Sequence, residues 1–219
     1  MNYHLKHRMT VPAAQRLPTE ERQALIVAAA IELAGQTSPA AITTADIARE
    51  VGVTQGALFK HFATREAIWL AVMEWVTGQL LARLEGAAQT PAESASSSPA
   101  LAIDALARVF AAHINFVHER PGVPRLVFHD LQQPVNSPLK RQLGVLLQRY
   151  RKLLTQLLHA AVTSGEAPAE LDVPAATTMF IGIVQGLAMQ SILSGPGTDL
   201  RAEAARVFPL YLRAIGKTP

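Results

Sequence analysis

The chain has 219 residues, 49% hydrophobic and 17% charged, with a formal net charge of +3. That length and apolar share make a globular chain with a core of its own and exclude intrinsic disorder. Cysteine is absent, which excludes a disulfide framework and a thiol nucleophile and argues against a structural zinc site.

Bulk charge is no argument for nucleic acid, because residues 1–75 hold seven basic and seven acidic residues. A DNA-binding role has to rest on local placement. No apolar signal-peptide core is read in the first 20 residues. Residues 1–18 read as an arm carrying His4, Lys6, His7, Arg8 and Arg16 and broken by Pro12 and Pro18. It is either a flexible tail or a segment laid along DNA phosphates.

Thr19 followed by Glu20 and Glu21 reads as a capped helix start with acids in its first turn. Leu25, Ile26, Ala29, Ala30 and Leu33 then share one face, and Gly35 falls near the end. Thr43-Thr44-Ala45-Asp46 has the T-x-x-D form, a relative of the capping box, so a second short helix is expected from Thr44 to about Glu50, closed by Gly52. A third short helix is expected over Gln55 to His61, with Leu58 and Phe62 inward. Two short helices around a glycine-containing turn make a helix-turn-helix. Thr64 caps a fourth helix whose stripe is Ile68, Trp69, Val72, Val76, Leu80 and Leu84, with Gly86 as its stop.

Residues 86–99 are low in complexity, rich in Ala, Ser and Pro, and read as a loop. Further helices are expected over 100–119, 124–133, 138–164 and 174–194, the last starting at Pro174. Asp199 caps a final helix with stripe Leu200, Ala204, Val207, Tyr211 and Ile215 and a kink at Pro209. Strand alternation is absent, so the fold class is all-α, with about nine helices. The stretch around Met179–Leu193 is apolar, yet it contains Gln185, Gln190 and Ser191 and lacks flanking basic clusters. It reads as a core or interface helix rather than a membrane span.

The run IAREVGVTQGALFKHFATREAI, with Arg22, Ile26 and Leu33 before it, resembles the DNA-binding domain of the TetR family of transcriptional regulators. Match and spacing cover about residues 20–70. The resemblance implies an N-terminal three-helix helix-turn-helix domain, 19–66, and a C-terminal helical ligand-binding and dimerisation domain, 67–219. Gln55 stands at the N-terminal end of the reading helix, where its amide can bond an adenine edge. Gly56 allows close backbone approach. Thr44 and Thr54 start helices whose free N–H groups suit a phosphate, and Lys60 adds a cation. By resemblance, Phe59 replaces a tyrosine that touches a phosphate, and His61 and Arg65 occupy backbone-contacting positions. In the second half, Phe110, His113, Phe116, Val117, Leu126, Phe128, Tyr150 and Met179 are candidate lining of the implied cavity. Gly182, Gly186, Val207, Phe208 and Tyr211 are candidate dimer contacts. The basic stretch Lys140, Arg141, Arg149, Arg151 and Lys152 reads as a solvated face or a site for an anionic partner.

No G-x-S-x-G, H-E-x-x-H, P-loop or G-x-G-x-x-G occurs, so no enzyme activity, metal or cofactor is expected. The expectation is a cytoplasmic homodimer, not a membrane protein, with two partners: an inverted-repeat DNA operator and an unidentified small-molecule effector. Repression is the expected sign. Activation on the same fold, or a small-molecule-binding helical protein with an idle helix-turn-helix, are the alternatives.

Overall fold

The computed structural model describes residues 18–89, 102–132, 136–195 and 199–216; the N-terminal arm and most of the low-complexity stretch lie outside them. Nine helices form among the described residues, and no strand does. They are α1 (Thr19–Gln36), α2 (Thr44–Val51), α3 (Gln55–Phe59), α4 (Arg65–Gln89), α5 (Ala102–Glu119), α6 (Gly122–Leu131), α7 (Pro138–Thr163), α8 (Val173–Ser194) and α9 (Leu200–Ala214).

Local signals set most boundaries. Thr43 and Asp46 complete a reciprocal capping box at α2, and Gly52 closes that helix in the left-handed conformation at φ 72°. Thr54, Ser137, Asp172 and Asp199 accept from backbone N–H groups at the starts of α3, α7, α8 and α9. Two expectations are corrected. Thr19 does not cap α1; Pro18 holds the cap position without a side-chain bond, and its carbonyl accepts from Arg22 N–H at 3.0 Å. Gly86 does not stop α4, which runs on to Gln89. Ala87 and Ala88 favour helix more than one glycine opposes it.

The long helix α4 links the two ends of the molecule. It packs on α1 at its start and on α5 and α7 along its length. α1, α2 and α3 form the small N-terminal head, sealed by Ile26, Ile47, Leu58 and Ile68, none of which is exposed. One continuous apolar core then runs from this head through α4–α9. α8 is long and apolar enough to cross a membrane by length and composition. Here Val173, Phe180, Val184 and Leu187 are buried in the core, and the helix packs on α7 and α9.

α6 makes a second tie between body and head, by docking on α1. Gly122 sits at that crossing. A Cβ there would overlap the Ile31 carbonyl oxygen and stand 2.8 Å from Gly35 N and 3.1 Å from the Ala34 carbonyl carbon. The two backbones meet so closely that only glycine fits.

Candidate functional site

The head presents one solvent-facing edge built from α2, the turn and α3. Thr43 Oγ1 accepts from Asp46 N–H at 3.1 Å, while the Asp46 carboxylate accepts from Thr43 N–H at 2.9 Å. The Thr43 hydroxyl also donates to the Asp46 carboxylate at 2.6 Å, and this bond first, then the Thr43 N–H and Arg49, lowers the Asp46 pKa to about 2. α2 is thereby fixed, and Leu58 pins α3 beneath it. Thr54, Gln55, Gly56, Phe59 and Lys60 are all exposed on this edge, and Thr44 is half-buried beside them.

Gln55 and Thr44 meet, with Gln55 Nε2 donating to Thr44 Oγ1 at 2.6 Å. The Gln55 amide oxygen remains for an outside donor. Gly56 does not have a positive φ, and a Cβ added to it would meet no atom within 4 Å. The chain's own packing therefore does not require glycine there, although a helical glycine costs stability. Phe59 is 43% exposed for a large apolar ring, and it carries no hydroxyl for a phosphate.

His61 and Arg65 stand apart from this edge. His61 is half-buried, its carbonyl accepts from Gln23 Nε2 at 3.2 Å, and its Nδ1 is enclosed with no partner among the described residues. Arg65 turns inward: Nε donates to Ile42 carbonyl at 2.9 Å and Nη2 to Pro39 carbonyl at 2.6 Å, beneath the Trp69 ring. It ties the start of α4 to the loop before α2. Three carbonyl contacts engage Nε and Nη2 of the guanidinium within the chain, a structural tie beside the phosphate role that the resemblance implies.

The body holds a pocket of about 160 Å³ between α4, α5, α6, α7 and α8, partly open to solvent beside the exposed Leu131 and Gln185. Five of the eight residues read from sequence as its lining are there: His113, Phe116, Val117, Phe128 and Tyr150. Three are not. Phe110 stacks with Phe208 at 4.4 Å between ring centroids, on the α5–α9 side. Leu126 faces the α4–α7 cleft near the head, and Met179 is 37% exposed on the outer face of α8. Sequence reasoning missed Val76 and Leu80 of α4, Leu143, Leu146 and Leu147 of α7, and Ile181 and Val184 of α8. Each sits in a core stripe, and periodicity does not mark where the core is hollow.

The cavity's polar groups are few. His113 Nδ1 and Tyr150 OH lie 3.0 Å apart. Burial pushes the His113 pKa down from 6.5 to about 4 and the Tyr150 hydroxyl well up, so both are neutral at pH 7. Gln185 adds an amide.

The outer face of α8 carries Met179, Gly182, Gly186, Met189 and Leu193, spaced three and four apart in one stripe. Leu193 is 78% exposed, nothing lies within 4 Å of either glycine's missing methyl, and Leu210 of α9 is 53% exposed. Tyr211 is corrected as a dimer contact: it is 1% exposed and donates to the Ala176 carbonyl at 3.3 Å inside this chain. Val207 and Phe208 are half-buried against the same core.

An exposed helix-turn-helix head on a larger hollow helical body is the architecture of a DNA-binding transcriptional regulator. Residues 26–72 match the family described as bacterial regulatory proteins, tetR family. A fatty acid metabolism regulator protein of Bacillus subtilis (strain 168) is 24% identical over 190 residues, covering 87% of this chain and 93% of its own. The crystal structure of FadR from Bacillus subtilis in complex with stearoyl-CoA superposes with a TM-score of 0.73 at 23% identity, over 88% of this chain and 98% of that one. A tetR-family regulatory protein from Rhodococcus RHA1 gives 0.70 at 23% identity, over 91% and 99%. Residues 26–72 thus carry the N-terminal domain of the tetR family of bacterial regulatory proteins, and the described chain as a whole shares the fold of these solved structures.

Proposed function

We propose that this protein is a homodimeric repressor that leaves an inverted-repeat operator when a small molecule enters the body cavity. One observation carries the reading: α4 and α6 both wall the cavity and both dock on α1 of the head. A ligand that spreads these helices moves the head. It acts only through its preference for the arrangement that does not fit DNA, and DNA weakens the ligand by the same factor.

The apolar outer stripe of α8, with Leu210 of α9, pairs with its copy in a second chain to form a four-helix interface. The two α3 helices then enter successive major grooves roughly 34–36 Å apart. Residues 19–66 act as the reading head and 67–219 as the sensing and dimerising body, working on DNA in the cytoplasm. Thr44, Thr54, Gln55, Gly56, Phe59 and Lys60 form the DNA contact surface. The similar FadR structure, solved in complex with stearoyl-CoA, supports an effector-controlled role. The sign of regulation is read from a reporter gene placed behind the bound sequence. Expression that rises when the protein is removed supports repression, and expression that falls assigns activation.

A further inference from the structure

We propose that the effector is a small neutral molecule of about one ring, carrying a single hydroxyl or carbonyl that bonds the His113–Tyr150 pair, and not an acyl-coenzyme A. This rests on the sensor reading above and names the ligand class for the same cavity.

Size comes first. A protein cavity of about 150 Å³ lined by Leu, Ile and Phe takes up benzene, and this one is about 160 Å³ with Val, Leu, Ile and Phe walls. A long acyl chain carries several times as many carbons. Charge comes second. Among the described lining residues there is no Lys, Arg, Asp or Glu. Two guanidiniums, Arg83 and Arg120, lie over the Phe116 ring and are paired with Glu119. A carboxylate or phosphate placed inside would be desolvated without a counter-charge, at a cost of several kcal/mol.

Hydrogen bonding comes third. His113 and Tyr150 project from facing helices α5 and α7 into an otherwise apolar chamber. Their shared bond runs either way. If Tyr150 O–H donates to Nδ1, the Nε2 N–H is left to donate to a ligand carbonyl or hydroxyl. If Nδ1–H donates to the Tyr150 oxygen, Nε2 accepts and the Tyr150 proton is free to be donated. The pair therefore adapts to a donor or an acceptor without any change of charge. Gln185, on the exposed side of α8, is the other polar group among the described lining residues.

The test is calorimetric titration of the DNA-free protein with three probes: 4-ethylphenol, ethylbenzene and stearoyl-CoA. The proposal expects 4-ethylphenol to bind, ethylbenzene to bind more weakly, and stearoyl-CoA not to bind. Tyr150→Phe keeps the ring and should weaken 4-ethylphenol about tenfold while leaving ethylbenzene unchanged, the range of one neutral hydrogen bond. His113→Gln is the second variant, with the same expected direction. Binding of stearoyl-CoA, absence of 4-ethylphenol binding at millimolar concentration, or equal loss of both small probes in Tyr150→Phe would overturn the assignment. These readouts need no operator, so failure to bind DNA would sink the regulator reading and leave this result standing.

Discussion

Replacing Gly122 by alanine strikes the crossing of α6 and α1 directly. The added methyl would overlap the Ile31 carbonyl oxygen and stand 2.8 Å from Gly35 N. Ordinary contacts lie at about 3.5–4.0 Å, so α6 has to withdraw from α1 by roughly 1 Å. Both neighbours are main chain inside a helix and do not rotate away. Overpacking of this kind costs about 1–3 kcal/mol. Val123 and Pro124, the next residues of α6, line the cavity and move with it. Gly122→Ala should therefore lower the urea midpoint and weaken operator binding about five- to a hundredfold without any ligand, the usual range of a coupling between sites. Fluorescence anisotropy on labelled operator reads the second effect. Gly144→Ala is the control: this exposed glycine of α7 has nothing within 4 Å of an added methyl, so the change should stabilise by up to about 1 kcal/mol. If Gly122→Ala melts and binds DNA like the parent chain, the crossing does not couple body to head.

Gly56→Ala should raise stability by roughly 1 kcal/mol while reducing operator affinity; stronger or equal DNA binding would remove Gly56 from the interface. Lys60→Ala should lower the slope of log affinity against log salt by about 1. Arg65→Ala should leave that slope unchanged but destabilise the head by about 2 kcal/mol as its carbonyl bonds are lost; a reduced slope would restore Arg65 to the phosphate contacts. Because the folded His113 pKa lies near 4 and its ordinary value at 6.5, the unfolded chain binds the extra proton between them. Stability should therefore fall as the pH drops from 6.5 towards 4. Urea midpoints across that window should flatten in His113→Gln, and an undiminished slope would point to other groups. Gly186→Glu, which puts a charge in the outer α8 stripe, should shift sedimentation towards the monomer; an unchanged dimer would place the interface elsewhere.

The head was legible because its signals are local. The Thr43–Asp46 box, the Gly52 turn and the spacing of Leu58 and Phe62 each act within a few residues, and together they fix α2 and α3. The tie made by Arg65 was not legible for the opposite reason: its partners, the carbonyls of Pro39 and Ile42, come from a loop that only the tertiary fold brings under α4. Gly122 reads in sequence as the second half of a Pro-Gly turn, and nothing near it announces that α1 crosses there. In α8 both faces are apolar, so the sequence alone does not separate the buried stripe through Phe180 and Val184 from the open one through Met179 and Gly186. Tyr211 shares this ambiguity, since a stripe that faces the chain's own core has the same period as one that faces a partner. The cavity is harder still, because a hollow is a shortage of side-chain volume between five helices, and no single helix records it.

The central claim is that this chain reads DNA as a dimer. Selection of bound duplexes from a random library, using folded protein refolded free of small molecules and at moderate salt, tests it most directly. The account predicts enrichment of an inverted repeat whose half-sites are centred about 10 base pairs, or a multiple of that, apart. Failure to enrich any sequence, or enrichment of a single half-site by protein shown to be dimeric, would contradict it.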